Sequence, residues 1–360
     1  MLDRFLRLTA IISLLSICLI DSWLRFTGPP GVIMSAIMRH SFAVPVAAFA
    51  WLGRQGARAI AALVFIGIAV PSLGVLLKPY VTEAIFVLLC MSFMRVDVAA
   101  MRGYLARPAL VIAATLWSSF AVPLLFGLAG TIGGLDKSAP DLFLGLMLQA
   151  VASPMMASPA LVALMGLDST LVLITLVTGT ALVPLSAPLF AWLFFGDGLT
   201  LSPLALGLKL FVILFGSVLV AAVIRRFAGV EAIARHKLPL DGFNILVLLV
   251  FVSAVMEPVA ASVRAAPLLV FGLLVLAFAL FAALLAVTTL VFRRAGLARA
   301  LALGLMASQR NMGLMLAAVD GALPGLTWLY FALAQFPIYL SPQLLTPLVR
   351  RLRGAAAPPP

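Results

Sequence analysis

Two polar, helix-disrupting patches interrupt long apolar stretches at matching places in the two halves of the chain: Ala152-Ser153-Pro154-Met155-Met156-Ala157-Ser158-Pro159 and Ala307-Ser308-Gln309-Arg310-Asn311-Met312-Gly313. A helix broken inside hydrocarbon leaves N–H and C=O groups without partners, at several kcal/mol each unless something polar compensates. In carriers built from inverted repeats, paired breaks at mid-membrane are where solute and coupling ions sit. The binding candidates are therefore Ser153, Ser158, Pro159, Ser308, Gln309, Arg310 and Asn311. Asn311 is the strongest single candidate, because a neutral amide offers both a donor and an acceptor. Ser158 and Pro159 read on their own as a kinked structural helix, since proline is tolerated in membrane spans. Thr175, Thr178 and Thr180 either bond back to their own helix or supply further ligands. Met155 and Met156 suit a soft apolar cleft or plain packing.

Arg310 has two readings. A guanidinium stays protonated, and charges inside a membrane are expensive and usually functional. Arg310 either packs against carbonyls freed by the broken helices or pairs with a carboxylate such as Asp320, or it serves as a fixed positive charge that binds an anionic substrate directly.

The elements that must position these residues are membrane helices. The chain has 360 residues, 64% hydrophobic and 10% charged, with a mean hydropathy of +1.22. A water-facing surface cannot be made from that composition, and nearly uncharged stretches of about 20 residues recur along the chain. The net charge of +12 lies in short loops, where it reports orientation and not a nucleic-acid partner. Cys18 and Cys90 both lie in apolar segments and His40 and His236 stand alone, so neither a disulfide framework nor a metal site is expected. Residues Met1 to Trp23 resemble a signal peptide, but Asp21, Trp23 and Leu24 replace the small residues of a cleavage site. A retained helix is the expectation there.

Ten spans follow from hydropathy, at about 59–77, 81–99, 108–130, 141–166, 169–195, 203–224, 239–257, 267–292, 298–319 and 325–349. Clusters such as Arg54 and Arg58, Arg102 and Arg107, Arg225 and Arg226, Arg293 and Arg294, and Arg350 and Arg351 fall on one side of that alternation. The positive-inside rule makes that side, and both ends of the ten-helix unit, cytoplasmic. Two segments near Ser186 and Ser341, each with flanking prolines, follow the two broken spans. A five-span unit starts inside and ends outside, so its successor is inverted. The expected fold is an all-α polytopic membrane protein, a ten-helix inverted repeat (5+5), behind an N-terminal extension. Residues 1–56 form that hydrophobic extension, lying at the interface or partly inserted. Residues 57–197 and 198–351 form the two repeats, and 352–360 a disordered tail.

The chain resembles the sodium/bile acid symporter family over residues 60–350. The resemblance rests on Ala157-Ser158 followed by the Thr178 to Pro188 stretch, Leu238-Pro239-Leu240, Gln309-Arg310-Asn311-Met312-Gly313-Leu314, and Tyr104-Leu105-Ala106-Arg107-Pro108. It implies a core and a panel domain, a discontinuous fourth and ninth helix that cross near the centre, and amphipathic organic anions as cargo, often with sodium. This chain departs at the sodium ligands, which in the family are hard oxygens. Pro159 stands where members have Asn, Met306 and Arg310 where they have Glu and Gln, Val172 and Leu176 where they have hydroxyls, and Ser118 where they have an amide. Repulsion from Arg310 opposes a cation bound nearby, so a sodium cofactor fits poorly.

The leading expectation is a secondary active or facilitative transporter of small organic anions, acting in the lipid bilayer of a bacterial inner membrane. Proton coupling or plain exchange suits the degraded sodium ligands; the alternative is genuine sodium symport with a rebuilt site. An intramembrane enzyme lacks a nucleophile with a base, a channel is a third class, and no phosphate-binding Gly-x-x-x-x-Gly-Lys motif occurs. The sequence sets neither the cargo nor an oligomeric state.

Overall fold

The computed structural model describes residues 34–96, 108–196, 202–319 and 323–354. Expectations for Met1 to Trp23, for Arg102 and Arg107, for Asp320 and for the tail after Gly354 fall outside these residues. Among the described residues the regular elements are helices, and the β-type contact is an isolated antiparallel bridge between Pro154 and Arg310. The first half runs α1 (Met34–Ala69), α2 (Pro71–Leu77), α3 (Val81–Met94), α4 (Pro108–Leu116), α5 (Val122–Ile132), α6 (Leu135–Ser138), α7 (Pro140–Val151), α8 (Ser158–Leu164) and α9 (Ser169–Phe195). The second runs α10 (Pro203–Ala228), α11 (Val230–Arg235), α12 (Lys237–Met256), α13 (Val259–Ala265), α14 (Pro267–Val291), α15 (Leu297–Ser308), α16 (Met312–Ala318) and α17 (Gly325–Gly354).

Prolines punctuate these starts. Pro71, Pro140, Pro159, Pro203 and Pro267 sit in the first turns of their helices, where the missing N–H would have had no intrahelical partner. Ser202 and Asp168 add side-chain caps, accepting from the N–H groups of Ala205 and Leu171. Asp168 also pairs with Arg299 at 3.5 Å, joining the starts of α9 and α15. Pro184 and Pro188 lie inside α9.

Among the described residues six helical stretches are long and apolar enough to cross a membrane, and α7 and α15 are shorter apolar helices. Their outward faces are apolar too: Leu268 is 85% and Leu204 84% exposed. Apolar surface on this scale has no counterpart in a water-soluble monomer. The protein is an integral membrane protein built of α-helices.

The chain rises along α12 and returns along it. Gly67 and Gly74 approach Val252 to Glu257 closely, Lys78 pairs with Glu257 at 3.1 Å, and Arg95 at the end of α3 pairs with Asp241 at 2.5 Å. The turn at Lys78–Tyr80 therefore reverses the chain, and Pro71–Met94 is no single straight rod. Ahead of this hairpin α1 bends at Gly56, whose φ of +48° suits a residue without Cβ. Residues before the bend also pack on α12: a Cβ on Gly242 would fall 1.8 Å from the Phe49 carbonyl oxygen. The described part of the 1–56 extension is thus a helix lodged against the bundle.

The largest apolar core joins α1, α3, α7, α9, α10, α12, α13, α14, α16 and α17, and a second joins α4, α8, α9, α15 and the end of α17. Every residue of α16 is buried. α15 and α16, on either side of the second break, are buried along most of their length.

Candidate functional site

Both patches are breaks. α7 ends at Val151, Ala152 is extended (φ −60°, ψ 146°), and helix resumes at Ser158. α15 ends at Ser308, Gln309 is extended (φ −100°, ψ 99°), and helix resumes at Met312. The two unwound segments meet. Met155 N donates to Gln309 O at 2.8 Å, and Asn311 N donates to Ser153 O at 2.7 Å. Each break thus supplies partners for backbone groups that the other's missing turn leaves open, as buried peptide groups require.

Side chains extend the crossing. Ser158 Oγ donates to Gln309 Oε1 at 2.9 Å, and Gln309 Nε2 donates to Ser341 Oγ at 2.8 Å. Gln309 therefore ties α8 to α17 through the second break. Ser308 instead donates to Leu305 O in its own helix.

Arg310 is 2% exposed. Its Nη1 donates to Ala152 O at 3.0 Å, to Ser118 O at 3.1 Å and to Ser118 Oγ at 3.0 Å. Ser118 is presented by a π-helical turn, Trp117–Ala121, between α4 and α5; the sequence reading treats this span as regular helix. A π turn widens the i→i+4 ladder and leaves a carbonyl turned toward another partner, which is why such turns gather at special sites. Nε and Nη2 of Arg310 are buried with no hydrogen-bond partner. Among the described residues no carboxylate lies within ion-pair reach of it. One nitrogen is anchored; the opposite edge is enclosed without a partner.

The remaining candidates divide. Ser153 Oγ and Thr180 Oγ1 are buried and unpartnered. Thr175 donates back to Leu171 O. Thr178 contacts Ile174 O and Thr175 O and reaches Thr115 Oγ1 at 2.7 Å. Gly179 packs beside Ser119 and Pro154, so this stretch of α9 backs the first break. Pro159 sits in the first turn of α8. Asn311 is half-buried and faces a cavity.

That cavity measures about 190 Å³. Met155, Met156, Leu248, Phe251 and Ile338 give it apolar walls, and Arg310 with Asn311 closes one side. Its other polar groups are neutral, coming from Ser92, Asn244, Gln335 and Tyr339.

No protein-family model matches the chain, and no curated protein matches it. Its site is therefore read from its own geometry.

Sequence reasoning passed over Asn244, Gln335 and Tyr339, and also Gln149, whose Oε1 accepts from the Tyr330 hydroxyl. The available signal was the lone amide in an otherwise apolar span, because buried polar groups are kept where they have partners. Glu257 holds Lys78, whose ammonium also lies 4.6 Å from the Trp328 ring centroid. Phe292 is buried edge-on against Trp117 and is a packing residue.

Proposed function

We propose that this chain is a secondary carrier of small organic anions, working by alternating access, in which Arg310 stands in place of a bound cation. The observation that carries the reading is the buried guanidinium at the meeting point of two broken helices, with an unpartnered Nε and Nη2 and a cavity beside it. An unpaired charge deep in a membrane protein needs an anion, and no described side chain provides one.

Two further observations support a sodium-free carrier. The oxygens of Ala152 and Ser118, which a hard cation would use as ligands, already accept from Arg310. A second cation about 4 Å away would meet about 4 kcal/mol of repulsion at the effective dielectric of a protein site. The two breaks, about half a chain apart in sequence, bond to each other through two backbone hydrogen bonds. A pseudo-two-fold inverted repeat accounts for that pairing. The reading therefore includes a ten-helix, sodium/bile acid symporter-like architecture with repeats at 57–197 and 198–351 and both ends of the unit cytoplasmic in a bacterial inner membrane. Proton coupling and plain exchange both fit it.

The test is uptake of a panel of labelled organic anions into proteoliposomes, under separate sodium and proton gradients. Uptake without sodium, abolished by Arg310→Ala, is expected. Unchanged transport and affinity in Arg310→Ala would remove the proposal. An absolute sodium requirement would return the site to sodium symport.

A further inference from the structure

Away from the helix crossing, four helix segments meet at one end of the bundle. Arg225 Nη1 donates to Met94 O at 2.9 Å and to Val96 O at 2.6 Å, tying the end of α10 to the end of α3. Arg95 pairs with Asp241 near the start of α12. The stretch of α1 before the Gly56 bend joins them. Phe49 stands edge-on to Phe243 at 6.1 Å, and a Cβ on Gly53 would fall 2.1 Å from Leu238 O. With Phe49 beside Gly242 and Gly53 beside Leu238, this stretch runs antiparallel to the start of α12.

That glycine contact brings two cationic residues together. Arg54 follows Gly53 and Lys237 precedes Leu238, and both are exposed. Neither has an ion pair or a hydrogen bond among the described residues. The described carboxylates of this end do not answer them: Asp241 is held by Arg95, and Glu231 lies exposed on α11. Arg226 and Arg235, also exposed, carry the same sign. Like charges gathered at a surface repel, and a bridging anion removes that cost. The flanking surface is apolar. Trp51 is 59% exposed and lies three residues before Arg54, on the same face of its helix. Leu238, next to Lys237, is exposed as well. Tryptophan beside a cation at the end of a membrane helix marks the head-group level of a bilayer.

We infer that Arg54 and Lys237 together dock the phosphodiester head group of an anionic phospholipid, with its acyl chains against Trp51 and Leu238. The site lies outside the cavity at the crossing and does not depend on the carrier reading. Basic clusters beside membrane helices hold anionic lipid head groups by charge. Here the charge is focused, because a glycine-tight helix contact fixes the two cationic positions before any lipid arrives. A soluble acidic partner would use the charges and leave Trp51 and Leu238 facing water. A lipid uses both halves of the surface.

The test is native mass spectrometry of the full-length protein in neutral detergent, titrated with dioleoylphosphatidylglycerol or dioleoylphosphatidylcholine and read as the first binding constant. Phosphatidylglycerol is expected to bind at least about tenfold more tightly than phosphatidylcholine, and the Arg54→Gln/Lys237→Gln double variant to lose at least about tenfold of that affinity. Arg293→Gln/Arg294→Gln removes the same charge from the exposed turn between α14 and α15 and is expected to change nothing. Equal loss in the two double variants overturns the site, because general surface charge would then hold the lipid. Equal binding of the two lipids, or full affinity in Arg54→Gln/Lys237→Gln, overturns it too. Glycerophosphoglycerol, the same head group without acyl chains, is expected not to displace the lipid; displacement at equal concentration would make this a site for a soluble phosphodiester. Should the double variant fail to fold, Arg54→Gln and Lys237→Gln singly are each expected to lose about fivefold, and full affinity in both overturns the proposal.

Discussion

Gln309 links three parts of the molecule with one amide. It accepts from Ser158 at the start of α8 and donates to Ser341 in α17, and all three side chains are buried. Ser341 passes the chain on to Ile338 O. Removing the Ser158 hydroxyl would leave Gln309 Oε1 without its donor, and a stranded buried acceptor costs about 1–3 kcal/mol. Ser158→Ala is therefore expected to lower the thermal midpoint of the detergent-solubilised protein measurably, with little direct effect on charge at the site. An unchanged midpoint would show that the link contributes nothing to stability. Arg310 differs in kind, because its anchored nitrogen supports the crossing while, in the proposed carrier, its charge also meets the anion. Substitutions there should move stability and anion affinity together, whereas Ser158→Ala should move stability first.

Between elements, the closest approach is that of α1 to α12. Phe49 backbone lies where a Cβ of Gly242 would be, and Leu238 O lies 2.1 Å from where a Cβ of Gly53 would be. Gly242→Ala must push these helices apart, and overpacking of this kind costs about 1–3 kcal/mol. Loss of thermal stability without a change in anion preference is expected; no change in stability would contradict the packing. At the far end of α12 two contacts of different strength sit together. Lys78–Glu257 is a partly exposed pair, worth about 0–1 kcal/mol. Trp328 is buried, donates to Val255 O at 3.3 Å and ties α17 to α12. Trp328→Ala is expected to destabilise by about 3–5 kcal/mol, and Glu257→Gln by far less; unfolding curves of the two variants decide, and a reversed order would refute this ranking.

For the molecule as a whole, the uncompensated guanidinium constrains a transport cycle. In the proposed carrier, the empty form keeps a positive charge buried without a counter-ion, while the loaded form is locally neutral. Burying an unpaired charge is far costlier than burying a pair, so the loaded form should reorient faster than the empty one. Unlabelled anion inside the vesicles is then expected to accelerate uptake of labelled anion by about tenfold or more, a barrier difference of about 1.4 kcal/mol. Equal rates with and without internal anion would exclude this behaviour.

Composition alone determined that the protein lives in a bilayer, because a chain that is 64% hydrophobic cannot cover itself with a water-facing surface. The breaks were legible from local chemistry: Ser-Pro pairs and an Arg-Asn step have no place in a continuous apolar helix. Helix starts were legible where proline stands in the first turn. The π turn at Trp117–Ala121 was not, since a regular and a widened helix share one hydropathy pattern and the difference lies in where Ser118 finds a partner. Nor could local pattern name the partners of Arg310. Packing on freed carbonyls was one of its two readings, and it took the fold to bring Ala152 O, 158 residues away, and Ser118 O, 192 residues away, to one nitrogen. Such a choice belongs to tertiary structure, because hydrogen-bond partners distant in sequence are set by helix packing, and single residues carry no record of it.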